Sequence, residues 1–168
     1  PGPAGGKCLP KDPHLLTDGT VCDQPTTPAL FNATRRTNAE APNYIATELL
    51  RKQPSKVCVL GLTYKRDVSD TFNSPAKQIK EILDSQGVET VGYDPNTAEG
   101  TADIAAALNG ADVILLAVNH STFSDIAVDI SKYAPPGATV YDIWNVVDQD
   151  GFECDYDGFG MDGRGQAR

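Results

Sequence analysis

The sequence predicts a doubly wound α/β domain built on a parallel sheet and preceded by a loop and a helical segment. Three observations point there. The runs Val57 to Leu60 and Val113 to Val118 are short and apolar throughout, as strands buried on both faces are. Helically periodic stretches separate the candidate strands, and strands alternating with helices define the class. The length, 168 residues, suits one domain with a sizeable core and a short appendage.

In chain order, residues 1 to 27 are rich in Gly, Pro, Asp and Thr and read as loop. Pro28 is suited to open a helix carrying Leu30, Phe31 and Ala33 on one face. Pro42 is expected to kink or restart that helix, after which Tyr44, Ile45, Ala46, Leu49 and Leu50 continue the apolar stripe. Beyond the strand Val57 to Leu60, Ser74 is placed as an N-cap with Pro75 at the first helical position. Ile79, Ile82 and Leu83 form the inward stripe, and Gly87 ends the helix. Val88 to Tyr93 reads as the second strand, Ile104 to Leu108 as a short helix and Val113 to Val118 as the third strand. Phe123 to Ile130 suggests a further helical turn and Ala138 to Ile143 a fourth strand. The tail from Asp148, rich in Gly and Asp, reads as loose.

Chemistry is concentrated near the N-terminus, in Gly5-Gly6-Lys7-Cys8-Leu9-Pro10-Lys11-Asp12. Glycines let backbone approach a ligand closely, and Pro10 stiffens the span between thiol and carboxylate. A thiol there attacks a carbonyl once it is thiolate, which nearby cations such as Lys7 and Lys11 favour. Read by itself, such a cysteine is more often a small apolar residue in a surface turn. A second group follows the first strand: Thr63, Tyr64, Lys65 and Arg66 precede the helix start at Ser74. Ligands of such sheets bind beyond the carboxyl ends of the strands, and a cation near a helix N-terminus suits a diphosphate.

Several motifs occur in a fixed order: Gly-Gly-x-Cys-x-Pro-x-Asp, Leu60-Gly61-Leu62-Thr63-Tyr64-Lys65, Asp70-Thr71, Ser74-Pro75, Tyr93-Asp94-Pro95 and Ala111-Asp112. Together they resemble the UDP-glucose/GDP-mannose dehydrogenase family, NAD-dependent enzymes that oxidise the C6 alcohol of a nucleotide sugar to a carboxylate. The resemblance implies a catalytic-cysteine loop and part of a central helical dimerisation region over residues 1–54. It implies a Rossmann-like, UDP-sugar-binding domain over 55–148, and leaves 149–168 as an acidic, Gly-rich tail. It makes Cys8 the nucleophile that captures the intermediate aldehyde and passes through a thioester, with Asp12 positioning or activating water. Gly5, Gly6, Lys11, Tyr64 and Lys65 are placed at the UDP-sugar. No Gly-x-Gly-x-x-Gly follows any of the predicted strands, and the sequence starts at Pro1 inside a motif. A C-terminal fragment is therefore expected, inactive alone, with NAD bound mainly by an upstream domain and a homodimer formed by the intact enzyme. Gly2-Pro3 and Asp12-Pro13 resemble the branch acting on UDP-N-acetylmannosamine, although that branch usually has His where this chain has Lys7. Cys-Leu-Pro-Lys-Asp is also found in UDP-glucose dehydrogenases. Two further departures put Phe72 and Trp144 where many members have arginine, replacing forked donors by rings.

Composition bounds the partners. With 23 acidic and 14 basic residues the net charge is −9, which disfavours nucleic acid and anionic membrane surfaces. Seventeen of the acids are Asp and only eight bases are Lys, a balance that fits a halophilic protein and equally an ordinary acidic cytoplasmic one. No apolar run approaches the roughly 20 residues that span a bilayer. Cys8, Cys22, Cys58 and Cys154 lack metal-site spacing, so a metal is not expected, and free thiols suit a reducing compartment such as the cytoplasm. Two other readings remain open: a nucleotide-sugar-binding module without catalysis, and a flavodoxin-like signalling domain. The intact Cys8 and Asp12 argue against the first. The second calls for acidic residues at the strand ends, where Thr63-Tyr64-Lys65 stands instead.

Overall fold

The computed structural model describes residues 2–17, 26–147 and 154–158. Its five strands are β1 Lys56–Leu60, β2 Glu89–Tyr93, β3 Val113–Leu116, β4 Thr139–Asp142 and β5 Asp155–Gly158. They form one all-parallel sheet in the order β2-β1-β3-β4-β5. The helices are α1 Asp12–Thr17, α2 Thr26–Leu50, α3 Pro75–Ser85, α4 Ile104–Leu108 and α5 Ile126–Tyr133.

Side chains of the central strands alternate between two buried faces. Val57, Val59, Val113 and Leu115 pack with Ile45 and Leu49 of α2 and with Ile79 and Leu83 of α3. Cys58, Leu60, Ile114 and Leu116 pack on the other face with Leu108, Ile126 and Ile130 of α4 and α5. Burial on both faces explains why these strands are apolar at every position, and each buried Leu or Ile contributes about 1.5–3 kcal/mol. The chain leaves β1 for β2 on one side and returns to β3 on the other. This reversal opens a crevice at the carboxyl ends of β1 and β3, the place where ligands of such sheets bind.

Local detail departs from the sequence expectation at four points. Pro42 lies inside α2, which continues from Thr26 to Leu50. A proline inside a helix, with its missing bond and its ring against the preceding turn, costs about 3 kcal/mol, but Ile45, Ala46 and Leu49 beyond it are fully buried, and Asn38 before it is bonded to the N-terminal loop. Part of that loop is itself helical, as α1. Ser74 occupies the N-cap position of α3, yet its hydroxyl donates to the Thr63 carbonyl at 3.2 Å instead of capping the helix. Finally, residues 155–158 of the tail form β5 beside β4; Tyr156 donates its hydroxyl to Asp142 at 3.0 Å, and Asp157 pairs with Lys52 at 3.0 Å. The remainder of the tail, like Cys22, lies outside the described residues.

Candidate active site

Gly5 and Gly6 bring the N-terminal loop onto the loop that joins β1 to α3. A Cβ on Gly5 would stand 2.6 Å from both the Asn73 carbonyl oxygen and Pro75 Cδ, so no larger residue fits. Gly6 has φ +80°, and a Cβ there would meet the Tyr64 ring at 2.7 Å. Gly6 also exchanges two hydrogen bonds with Asn73: its N–H donates to the Asn73 carbonyl, and Asn73 Nδ2 donates to its own carbonyl, both at 3.3 Å. Two motifs far apart in sequence are thereby joined, and of the predicted site residues Gly5, Gly6 and Tyr64 meet directly.

Cys8 is exposed two residues beyond this junction. Its carbonyl accepts the N–H of Lys11 at 2.9 Å and of Asp12 at 2.8 Å, forming the turn that starts α1. Asp12 thus reaches Cys8 through the backbone, while its carboxylate pairs with Lys11 Nζ at 2.8 Å. Hydrogen bonding to Asp12, with its negative charge, raises the Lys11 ammonium above its ordinary value and keeps it charged. Lys7 pairs with Asp70 at 3.6 Å and lies 5.6 Å from the Phe72 ring centroid. A cleft of about 690 Å³ beside the loop is lined by Lys7, Lys11, His14 and Phe72 together with Gly6, Pro10 and Asn73. Cys58 contrasts with Cys8: burial pushes its thiol up to about 12, and it is inert.

Tyr64 and Lys65 lie on the stretch that leaves the crevice end of β1, with Lys65 Nζ 5.5 Å from the Tyr64 ring centroid. A buried polar cluster fixes this stretch. Asp94 Oδ2 accepts the backbone N–H groups of Leu62 at 2.6 Å and Thr63 at 3.0 Å, and Oδ1 accepts that of Asn96 at 2.8 Å. His120 Nδ1 accepts the N–H of Asp67 at 3.0 Å, which puts the ring proton on Nε2, 3.1 Å from Asp94 Oδ2. Burial alone would raise the Asp94 carboxyl; the bonds from His120, Asn96, Leu62 and Thr63 outweigh it and hold the group at about 2. Sequence reading singled out Asp94 only as part of a motif and passed over His120. A carboxylate at the end of β2 and an isolated histidine after β3 carry no local sign that they meet.

The two rings that stand in place of arginines are placed differently. Phe72 is exposed beside Lys7. Trp144 packs at the margin of the core, where its indole N–H donates to the Ala117 carbonyl at 2.9 Å. Asp142 ends β4 and accepts the N–H groups of Trp144, Asn145, Val146 and Val147 in addition to the Tyr156 hydroxyl.

The described residues do not build a dinucleotide cradle. The fingerprint belongs in a short turn between the first strand and its helix, but here a long loop joins β1 to α3, and Gly5 and Asn73 cover the start of α3. A Gly-x-Gly-x-x-Gly string does occur at Gly158 to Gly163, a point missed by reading the tail as loose. It follows the edge strand β5, away from the reversal of strand order, and beyond Gly158 it lies outside the described residues. No group of metal-ligating side chains occurs among the described residues, and none of their helices is long and apolar enough to cross a membrane.

Comparison with known proteins agrees with this architecture. Residues 58–149 match the model of the UDP-glucose/GDP-mannose dehydrogenase family, UDP binding domain, more than half of the chain. A UDP-N-acetyl-D-mannosamine dehydrogenase from Pyrococcus horikoshii is 38% identical over 131 residues, covering 73% of this chain and 30% of that protein. The structure of the Pyrococcus horikoshii UDP-D-ManNAc dehydrogenase superposes with a TM-score of 0.80 at 32% identity, over 97% of this chain and 39% of that one. An NDP-N-acetyl-D-galactosaminuronic acid dehydrogenase from Methanosarcina mazei shares the fold, with a TM-score of 0.82 at 24% identity over 98% of this chain and 40% of that one. The chain spans about a third of the length of the curated relatives it matches.

Proposed function

Since the chain belongs to the UDP-glucose/GDP-mannose dehydrogenase family, we propose that it forms the UDP-sugar-binding and aldehyde-capturing part of an NAD-dependent nucleotide-sugar 6-dehydrogenase. The observation that carries this reading is the interlock of the Cys8 loop with the β1–α3 loop through Gly5, Gly6, Tyr64 and Asn73. It brings the loop that carries the exposed Cys8 onto the stretch whose motif resembles the family's nucleotide-sugar contacts. The similarity to UDP-N-acetyl-D-mannosamine dehydrogenases supports a UDP-N-acetylhexosamine as substrate, UDP-N-acetylmannosamine ahead of UDP-glucose.

In this reading Tyr64 and Lys65 engage the UDP-sugar at the crevice, Lys65 offering its ammonium to the diphosphate. Gly5 and Gly6 let the backbone approach the sugar, and Lys11 adds positive charge beside Cys8. NAD, held mainly outside these residues, is the proposed acceptor for both oxidations. Cys8 adds as thiolate to the C6 aldehyde, and the new alkoxide takes a proton to give a thiohemiacetal. Once this is oxidised to the thioester, water attacks the acyl carbon, and Cys8 leaves as thiolate while the uronate is released. Asp12 orients that water or takes its proton. Covalent capture keeps the reactive aldehyde from escaping. Exposed Leu30 and Tyr44 on α2 support a homodimer through that helix in the intact enzyme. A cytoplasmic setting is consistent with the free thiol at Cys8.

The test is Cys8→Ser in the intact protein, supplied with UDP-N-acetylmannosamine, UDP-glucose and NAD. Uronate formation should fall at least about a hundredfold, consistent with loss of a covalent nucleophile. Undiminished uronate from the variant refutes the assignment.

A further inference from the structure

Two asparagines on different elements grip the backbone just upstream of Cys8. Asn38, on α2, accepts the N–H of Ala4 on Oδ1 at 2.7 Å and donates from Nδ2 to the Ala4 carbonyl at 2.9 Å. One side chain thereby satisfies both backbone polar groups of one residue, as a neighbouring strand would. Asn73, before α3, holds both polar groups of Gly6 with its own carbonyl and its Nδ2, each at 3.3 Å. Gln78 Nε2 donates to Asn73 Oδ1 at 2.9 Å, which fixes the orientation of that amide. These interactions suit an amide. Aspartate lacks the donor, a single hydroxyl does not span an N–H and a carbonyl together, and glutamine is longer by a methylene.

We propose that Asn38 and Asn73 are positioning residues that aim Cys8, by pinning the chain at Ala4 and Gly6. Beyond Cys8, the turn in which its carbonyl accepts the Lys11 and Asp12 N–H groups fixes the other side. Only Lys7 separates the pinned Gly6 from the thiol-bearing residue. Asn38 and Asn73 lie 35 positions apart in the sequence, and their shared target is visible only in three dimensions.

The proposal rests on the reading of Cys8 as nucleophile, and two measurements separate the two. The first needs no catalysis. Amide hydrogen exchange in the 168-residue chain should rise at least about tenfold at Ala4 in Asn38→Ala, with the β1 amide of Val59 unchanged as a control for global stability. Unchanged exchange at Ala4 overturns the clamp whatever the enzyme does. The second uses the intact protein, with hydroxylamine present to trap escaped aldehyde. A misaimed thiol fails at capture, so Asn38→Asp should lower the ratio of uronate to trapped aldehyde at least about tenfold, with KM for NAD unchanged. Asn73→Ala, which keeps the main-chain acceptor, should shift the ratio in the same direction by less. A fall in kcat with the ratio unchanged in both variants reduces the asparagines to general supports and overturns the positioning role. Absence of uronate from the wild-type protein with either nucleotide sugar overturns the proposed function and the aiming of Cys8 with it, leaving the exchange result as a statement about the clamp alone.

Discussion

Replacing Asp94 by Asn removes the charge at the centre of the cluster that holds the Tyr64–Lys65 stretch, at almost constant shape. The carboxylate is buried and accepts from Leu62, Thr63, Asn96 and His120. An amide in its place has one acceptor oxygen, and its NH2 faces donors. The magnitude follows from the carboxyl's shift from an ordinary 3.8 to about 2. At about 1.4 kcal/mol per unit, the ionised group contributes roughly 2 kcal/mol to stability at neutral pH. The folded-state value lies below the unfolded one, so this contribution is complete above about pH 5 and is lost as pH falls towards 2. Urea unfolding followed through the single tryptophan, Trp144, reads it. Wild type should exceed Asp94→Asn in stability at pH 7 by at least about 2 kcal/mol, and the gap should narrow by about 2 kcal/mol on going to pH 2. Other carboxylates titrate alike in both proteins and cancel in the difference. A gap that stays constant from pH 7 to pH 2 would refute the assignment of the depressed acid to Asp94.

Two further predictions concern the loops at the site. Lys65→Ala should weaken UDP binding by the chain about tenfold in calorimetry, the scale of one charge-assisted contact; equal binding makes Lys65 an ordinary surface cation. Gly5→Ala should destabilise the fold by about 1–3 kcal/mol in urea, the usual cost of overpacking, because the new methyl would lie 2.6 Å from Asn73 O and Pro75 Cδ. An unchanged unfolding midpoint would mean that the N-terminal loop does not rest on α3.

Much of the sheet was legible because burial on both faces leaves a period-free apolar signature, as in Val57–Leu60 and Val113–Leu116. The start of α3 was legible from Ser-Pro and its end from Gly87. What escaped depends on partners distant in sequence. β5 has only the polar string Asp-Tyr-Asp-Gly to announce it, and it owes its place to the β4 ladder, the Asp142–Tyr156 bond and the Lys52–Asp157 pair. α2 passes Pro42 because burial on the sheet outweighs a local rule. At the site, Gly5, Gly6, Cys8 and Tyr64 were readable as motifs, since steric limits on backbone approach show directly in residue type. His120, Asn38 and Asn73 were not read as site residues, because an imidazole or amide bonded to remote backbone leaves no pattern along the chain. The bond from the Trp144 indole N–H to the Ala117 carbonyl is likewise invisible along the chain.

β5 also bears on where the sheet ends. The family match stops at residue 149, whereas the sheet continues through Asp155–Gly158. Without that strand, β4 would present a bare row of N–H and carbonyl groups, a template for another chain. Lys52, just past the end of α2, would lose its partner Asp157 at the same stroke. The span matched by the family model is therefore shorter than the sheet, and a polar segment beyond it does the shielding.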